Sequence, residues 1–414
     1  MPNLPNVLPE TWRKACLISL LVLWASFPVS PALTSISLGF CAGFWFLWKV
    51  KGGWEIRIDR RLLQLLGLFM AWTVLTFFWS ESKSASAHGL VKIFQQAVIF
   101  IFAADTFRDE KDFSKWRNVM TVVLLVVIAD AFFQYAFEKD FLRRFAAEYS
   151  GSGVRLKASF KTYGLFACYL ISTVPLLFVT ARQAFENKKR MKGILLAAAS
   201  VLGVVLIYLT RSRGAMLAFM AGIFLGLVIY RQFKVLFLLL LLSVLTVAVL
   251  PRDVVFHFDV HNKEQSVVER FYLWRRALDV IAAKPLTGTG INTYAVAHQK
   301  YDKTQSWRVK NYYAHNGYLQ MGAEMGLPGL ALFLAFLALL ALSVLRGLQT
   351  QGPAPAPYEK YVILGFFTAI VNFLVLASGD TVLHNPQPIK TFWFIAGLGH
   401  SYMRFIQSRI QAPA

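Results

Sequence analysis

The chain has 414 residues, of which 57% are hydrophobic and only 16% charged. That excludes an ordinary soluble domain, in which about a quarter of the residues carry charge. Its 43 basic and 22 acidic residues leave a formal charge of +21. In so apolar a chain that excess fits membrane topology or an anionic substrate, and no nucleic-acid partner is expected.

Twelve apolar segments follow in chain order: 15–29, 31–48, 62–79, 88–104, 118–137, 159–181, 193–209, 214–230, 235–250, 326–345, 360–378 and 390–406. Each approaches the ~20 residues that a helix needs to cross a hydrocarbon core of ~30 Å. The expected fold is therefore all-α and polytopic, with about twelve transmembrane helices. Spans one to nine occupy 1–250, a long loop with helices of its own occupies 251–325, and the last three spans occupy 326–414. Arg13 and Lys14 before the apolar run Ala15–Phe27 resemble a signal sequence, but so many spans follow that an uncleaved first helix is expected. Cys16, Cys41 and Cys168 fall inside apolar segments and read as small core residues, not disulfide partners.

Lysine and arginine set the orientation. Segments 49–61, 105–117 and 182–192 carry five, four and five, while the opposite connections 29–31, 80–87 and 379–391 carry none, one and one. Both termini are thus expected in the cytoplasm. Three outer segments break the pattern. Segment 138–158 carries Lys139, Arg143, Arg144, Arg155 and Lys157, the turn 210–213 is Thr-Arg-Ser-Arg, and loop 251–313 has ten basic residues against six acidic ones. Headgroup contact accounts for arginine there, and so does a pocket for phosphate or pyrophosphate.

Arg211-Ser-Arg213-Gly214-Ala215 sits between two spans. Guanidinium forks pair bidentately with phosphate, and the start of the next helix adds anion-binding amides. Segment 264–283 has the spacing of an amphipathic helix, with Val267, Phe271, Trp274, Leu278 and Ile281 on one face and Arg270, Arg275 and Arg276 on the remainder. Lys284-Pro-Leu-Thr-Gly-Thr-Gly-Ile ends it, and its glycines are too few to read as a nucleotide loop. His315-Asn316-Gly317-Tyr318-Leu319 opens a short helical run, where an imidazole at the positive end of the dipole is disposed to accept a proton. A capping or interfacial histidine is the plainer reading of the same residues. His384-Asn385 repeats the pair in the last outer loop and is a second candidate base.

Lys92, Gln95 and Gln96 share a face of the fourth span that should look into the bundle, where Lys92 would line a donor pocket or serve a structural hydrogen bond. His257, Asp259 and His261 alternate as possible ligands, but three donors alone do not make a metal site expected. His88 and His298 read as surface residues and His400 as a packing residue. Transporters bury ionisable groups near the midplane. Asp130 is the main such group here, which favours an enzyme working at one face.

The order Ser-Arg-Gly-Ala after a span, Arg270-x-x-x-Trp274-x-x-Ala277-Leu278, Pro-Leu-x-Gly-x-Gly, His315-Asn316-x-Tyr318-Leu319 and Glu324-x-Gly326-x-x-Gly329 resembles the O-antigen ligase/polymerase superfamily, most closely O-antigen ligase. The motifs span 211–330, and the topology is similar over the whole chain. The resemblance implies a GT-C-like integral-membrane glycosyltransferase of the bacterial inner membrane, with its site facing the periplasm. It would move a glycan from undecaprenyl pyrophosphate to lipid A–core oligosaccharide in lipopolysaccharide biosynthesis. It implies His315 as the essential histidine and Arg213 and Arg270 as the essential arginines. Arg211 and Arg155 are flanking basic residues of the same pocket, and Asp380 is the acid of the last outer loop. Inverting chemistry is expected, without metal or cofactor, since no Asp-x-Asp occurs. A polymerase of the same superfamily and a lipid-linked glycan transporter are the alternatives.

Overall fold

A computed structural model describes residues 7–150, 153–234, 263–301, 313–346 and 357–411. The expected span 235–250 and the His257, Asp259 and His261 group lie outside the described residues. The helices are α1 (Val7–Ser26), α2 (Pro31–Gly52), α3 (Arg60–Phe78), α4 (Lys83–Thr106), α5 (Glu110–Phe137), α6 (Tyr163–Glu186), α7 (Arg190–Leu209), α8 (Arg213–Ile229), α9 (Lys263–Ala283), α10 (Tyr294–Ala297), α11 (Gly317–Leu345), α12 (Pro357–Ala377) and α13 (Pro386–Gln411).

Most begin where the local chemistry dictates. Ser30, Asp59, Ser82, Asp109, Thr162, Ser212 and Asn316 cap α2, α3, α4, α5, α6, α8 and α11 by accepting first-turn amides. Eight described helices (α2 to α7, α11 and α12) are long and apolar enough to cross a membrane, and α8 is an apolar helix of 17 residues. Among the described residues these helices fit a polytopic membrane protein, and the expected segment 235–250 is outside that set. The helices α1 and α13 fall short because Glu10, Arg13 and Lys14 on one, and Lys390, Arg404 and Arg409 on the other, interrupt their apolar runs.

Burial explains why α13 tolerates such polarity. Its segment 388–403 is buried throughout against α4, α6, α11 and α12. Trp393 packs on Phe100 and Phe336, and its indole N–H donates to Gln96 at 3.1 Å. A helix inside the bundle faces protein instead of lipid, so polar groups find partners there. His400 is such a group: it is buried, accepts from the Asp59 amide at 3.3 Å, and is the packing residue expected.

Three features depart from the sequence reading. Segment 138–158 is not purely loop, because β1 (Glu148–Ser150) pairs antiparallel with β2 (Gly153–Arg155). The span expected at 326–345 joins the His-Asn helix across a break at Gly326, where φ is 69° and a side chain would collide with the Leu286 carbonyl. On α9, Phe271 and Leu278 of the expected stripe face outward, while Leu273, Arg276, Ala277 and Val280 are buried. Arg276 lies over the Tyr272 ring and donates to its hydroxyl, so it does not project into solvent.

The connections at one end of the bundle are tied together. Ser159 Oγ donates to the Pro28 carbonyl and Gln387 Nε2 to that of Phe27. The Leu156 amide bonds the Leu209 carbonyl, and the Trp79 indole bonds Thr287. This end gathers segments 27–30, 79–82, 138–150, 153–162, 210–212 and 378–385 with the turn after α9.

Candidate active site

His315 immediately precedes α11. Asn316, at φ −155°, caps that helix by accepting from the Tyr318 and Leu319 amides at 3.1 and 3.0 Å. The cap forces a reversal just before it, and His315 takes a left-handed φ of 48°, a conformation costly to a residue with a Cβ and held only by its surroundings. Trp274 of α9 supplies part of that hold, its indole N–H donating to the His315 carbonyl at 3.3 Å.

The ring then reaches the loop after α12. Nδ1 of His315 lies 3.7 Å from Oδ1 of Asp380, each side chain about a third exposed. That is an ion-pairing distance, longer than a hydrogen bond. The Thr381 amide donates to Asp380 at 2.7 Å. Burial alone would raise the Asp380 carboxyl pKa. His315, the Thr381 amide and the positive field of Arg270 outweigh it and hold the carboxyl below its usual range. Arg270 is exposed on α9. Gly164, in the first turn of α6, also adjoins Asp380: a methyl there would sit 3.8 Å from Oδ2.

The remaining arginines border this group. Arg213 is the first residue of α8, and the neighbouring Gly214 approaches Leu376 near the end of α12, four positions before Asp380. Arg211, at φ 54°, lays its guanidinium on Gly153 in the hairpin, where any side chain would occupy the same space. Arg155 of the same hairpin lies 4.7 Å over the ring of Tyr163, the residue that opens α6. Arg155 and Arg211 thus rest on an aromatic ring and a glycine, not on a carboxylate.

Two residues read from the sequence go elsewhere. Lys92 lines a different cavity, with Gln96, Asn292, His384 and Trp393, that includes neither His315 nor Asp380. Its Nζ approaches Asn292 Oδ1 at 3.4 Å. His384, the second candidate base, points its Nε2 at the buried Glu324 carboxylate, 3.4 Å away. His298 is no surface residue; it is buried, stacked on Tyr294 and bonded to that residue's carbonyl at 2.7 Å. His88 is exposed as expected, and all three cysteines are free and buried. Asp130 caps a turn instead of lining a midplane path, accepting the Phe141 and Leu142 amides. No cluster of three metal-ligating side chains occurs among the described residues.

Residues 198–334 match the O-antigen ligase family (Wzy_C). That stretch runs from α7 into α11 and takes in Arg211, Arg213, Arg270 and His315, while Arg155 and Asp380 lie outside it. A Rickettsia typhi protein named "Putative polysaccharide ligase" is 25% identical over 293 residues, covering 64% of this chain and 65% of the relative. A Rickettsia felis protein of the same name is 23% identical over 376 residues, covering 81% of this chain and 86% of the relative. The chain thus spans about two-thirds of the length of the first relative and most of the second. Through residues 198–334 the chain is similar to the O-antigen ligase family, and these two relatives carry the name polysaccharide ligase.

Proposed function

We propose that this chain is an integral-membrane glycosyltransferase that joins a polyprenyl-diphosphate-linked glycan to a lipid A–core acceptor, with undecaprenyl pyrophosphate as the carrier. The observation that carries the reading is the pairing of His315 with Asp380 in the field of Arg270, at the end of the bundle where Arg155, Arg211 and Arg213 also gather.

In the reaction, an acceptor hydroxyl attacks the anomeric carbon of the donor sugar. The bond from that carbon to the diphosphate oxygen breaks, and the lipid diphosphate leaves. His315 takes the hydroxyl proton, and Asp380 orients the imidazole and stabilises it once protonated. The arginines receive the charge that develops on the diphosphate, Arg213 and Arg270 foremost. One displacement inverts the anomeric configuration and forms no glycosyl-enzyme intermediate. Because guanidinium groups carry the diphosphate, transfer should persist in a metal chelator. The site end would face the periplasm, with both termini in the cytoplasm and the chain in the bacterial inner membrane.

The test is deletion of the gene followed by gel analysis of the lipopolysaccharide. A ligase predicts core without a polymer ladder and an accumulating lipid-linked polymer. Core bearing a single repeat unit would make the chain a polymerase. Movement of the lipid-linked glycan across proteoliposomes with no new glycosidic bond would make it a transporter.

A further inference from the structure

The cavity that holds Lys92 abuts Glu324, a fully buried carboxylate that lies outside the site. Glu324 is about two turns into α11, and three segments converge on it. From the turn that follows α9, the Asn292 amide donates to Oε2 at 2.7 Å and the Tyr294 amide to Oε1 at 3.2 Å. The Gly290 amide donates to the Glu324 main-chain carbonyl at 2.8 Å. On its own helix, Gln320 Nε2 reaches Oε1 at 3.1 Å. From the loop after α12, His384 Nε2 lies 3.4 Å from Oε2. Asn292 passes the contact on to Lys92 of α4.

Those three segments are the ones that carry the site. His315 stands at the start of α11, Arg270 lies on the helix that runs into the 285–294 turn, and Asp380 shares its loop with His384. His384 is nearly buried, and its ring is wedged between Glu324 and the cavity lining. Loop 378–385 is therefore pinned at both ends, Asp380 on His315 and His384 on Glu324. Resting on the transferase reading above, we propose that Glu324 and His384 are positioning residues: they fix the register of loop 378–385 so that the Asp380 carboxylate meets the His315 ring. Neither touches substrate. A loop freed at the His384 end keeps its sequence but loses the geometry at the Asp380 end, and displacements of about 1 Å at a reacting group cost up to about 10²-fold in rate.

The experiment is a double-mutant cycle on the full-length protein in detergent or liposomes, using a polyprenyl-diphosphate-linked glycan and core acceptor. His384→Ala should lower kcat about tenfold or more while donor KM stays within about twofold. His384→Gln, whose amide N–H still reaches Glu324, should recover most of the rate. Asp380→Asn should cost about 10²-fold, and adding His384→Ala to it should cost little more, because the loop then has nothing left to position. Multiplicative losses in the double variant, or wild-type kcat in His384→Ala, would overturn the inference. Full activity in His315→Ala and Asp380→Asn would instead overturn the transferase reading. Should His384→Ala not fold, the cycle run with Glu324→Gln in its place decides the matter in the same way.

Discussion

The two ends of this bundle handle positive charge in opposite ways. At the end away from the site, buried cations are neutralised by buried acids. Lys49 meets Asp105 at 2.6 Å with both side chains essentially inaccessible, and Asp105 also accepts from the Trp45 indole and the Arg57 amide. Arg13 bonds Asp112 at 2.6 Å, Glu10 at 2.7 Å and the Thr106 carbonyl at 2.9 Å, clamping α1 to α4 and α5. Arg409 joins α13 to the buried Glu359 of α12. At the site end, Arg155 lies on a tyrosine ring, Arg211 on a glycine, and the positive field of Arg270 reaches the Asp380 carboxylate that faces His315. The first arrangement turns those particular charges inward, where they join helices. The second pairs Lys157 with Glu148, and Lys284 and Lys300 with Glu81. It sets Arg155 and Arg211, however, against a ring and a glycine near the base, a distribution that suits an anionic leaving group.

The comparison breaks first at His315. His315→Ala should cut transfer by about 10³-fold or more, within the range found for loss of a general base, with folding and insertion retained. Retained activity would mean that the positive end serves another purpose. Next in size comes the opposite end. Lys49→Ala leaves Asp105 buried without its cation, a change that typically costs about 3–5 kcal/mol. The unfolding temperature in detergent should fall, while the rate per folded molecule holds. A rate loss without a stability loss would show that the two ends are not divided as described.

Arg213→Lys is expected to slow transfer by about 10²-fold, since a point charge cannot replace a planar fork. Kinetics equal to wild type would argue against bidentate phosphate contact. Gly153→Ala is smaller and more specific. The new methyl displaces the Arg211 guanidinium, the mobile end of its side chain, so folding should survive and donor KM should rise a few-fold.

Smallest is a pH effect. The Asp380 carboxyl is held below its ordinary value, so the stability it confers is complete above about pH 4, the unperturbed value for aspartate, and is lost as pH falls through the lowered one. The difference in unfolding temperature between wild type and Asp380→Asn should stay constant from neutral pH down to about 4 and close below it. A gap that closed near neutral pH would place the titration on another group.

Much of the frame was legible because its signals are local. The apolar runs of α2 to α8 are recorded residue by residue, and the His-Asn pair before α11 marks a helix start by the short-range bonds that Asn316 makes. The same reading failed on α9, where Phe271 and Leu278 have helical spacing but face outward. Periodicity identifies an apolar face without saying what covers it. On α13 it found the helix at 390–406 but not its buried place, where packing supplies partners for the polar groups that lower its hydropathy.

Sequence by itself determined which residues can do chemistry here: an imidazole before a helix cap, and arginines where topology does not ask for them. Tertiary structure alone decided which of these meet. It set Asp380 beside His315 and turned His384 toward Glu324, and it sent Lys92 into another cavity. The physical reason is range. Caps, turns and apolar periodicity act over a few residues, whereas an ion pair between loops follows from how whole helices pack. That packing is set by glycine contacts and buried rings spread over the entire bundle.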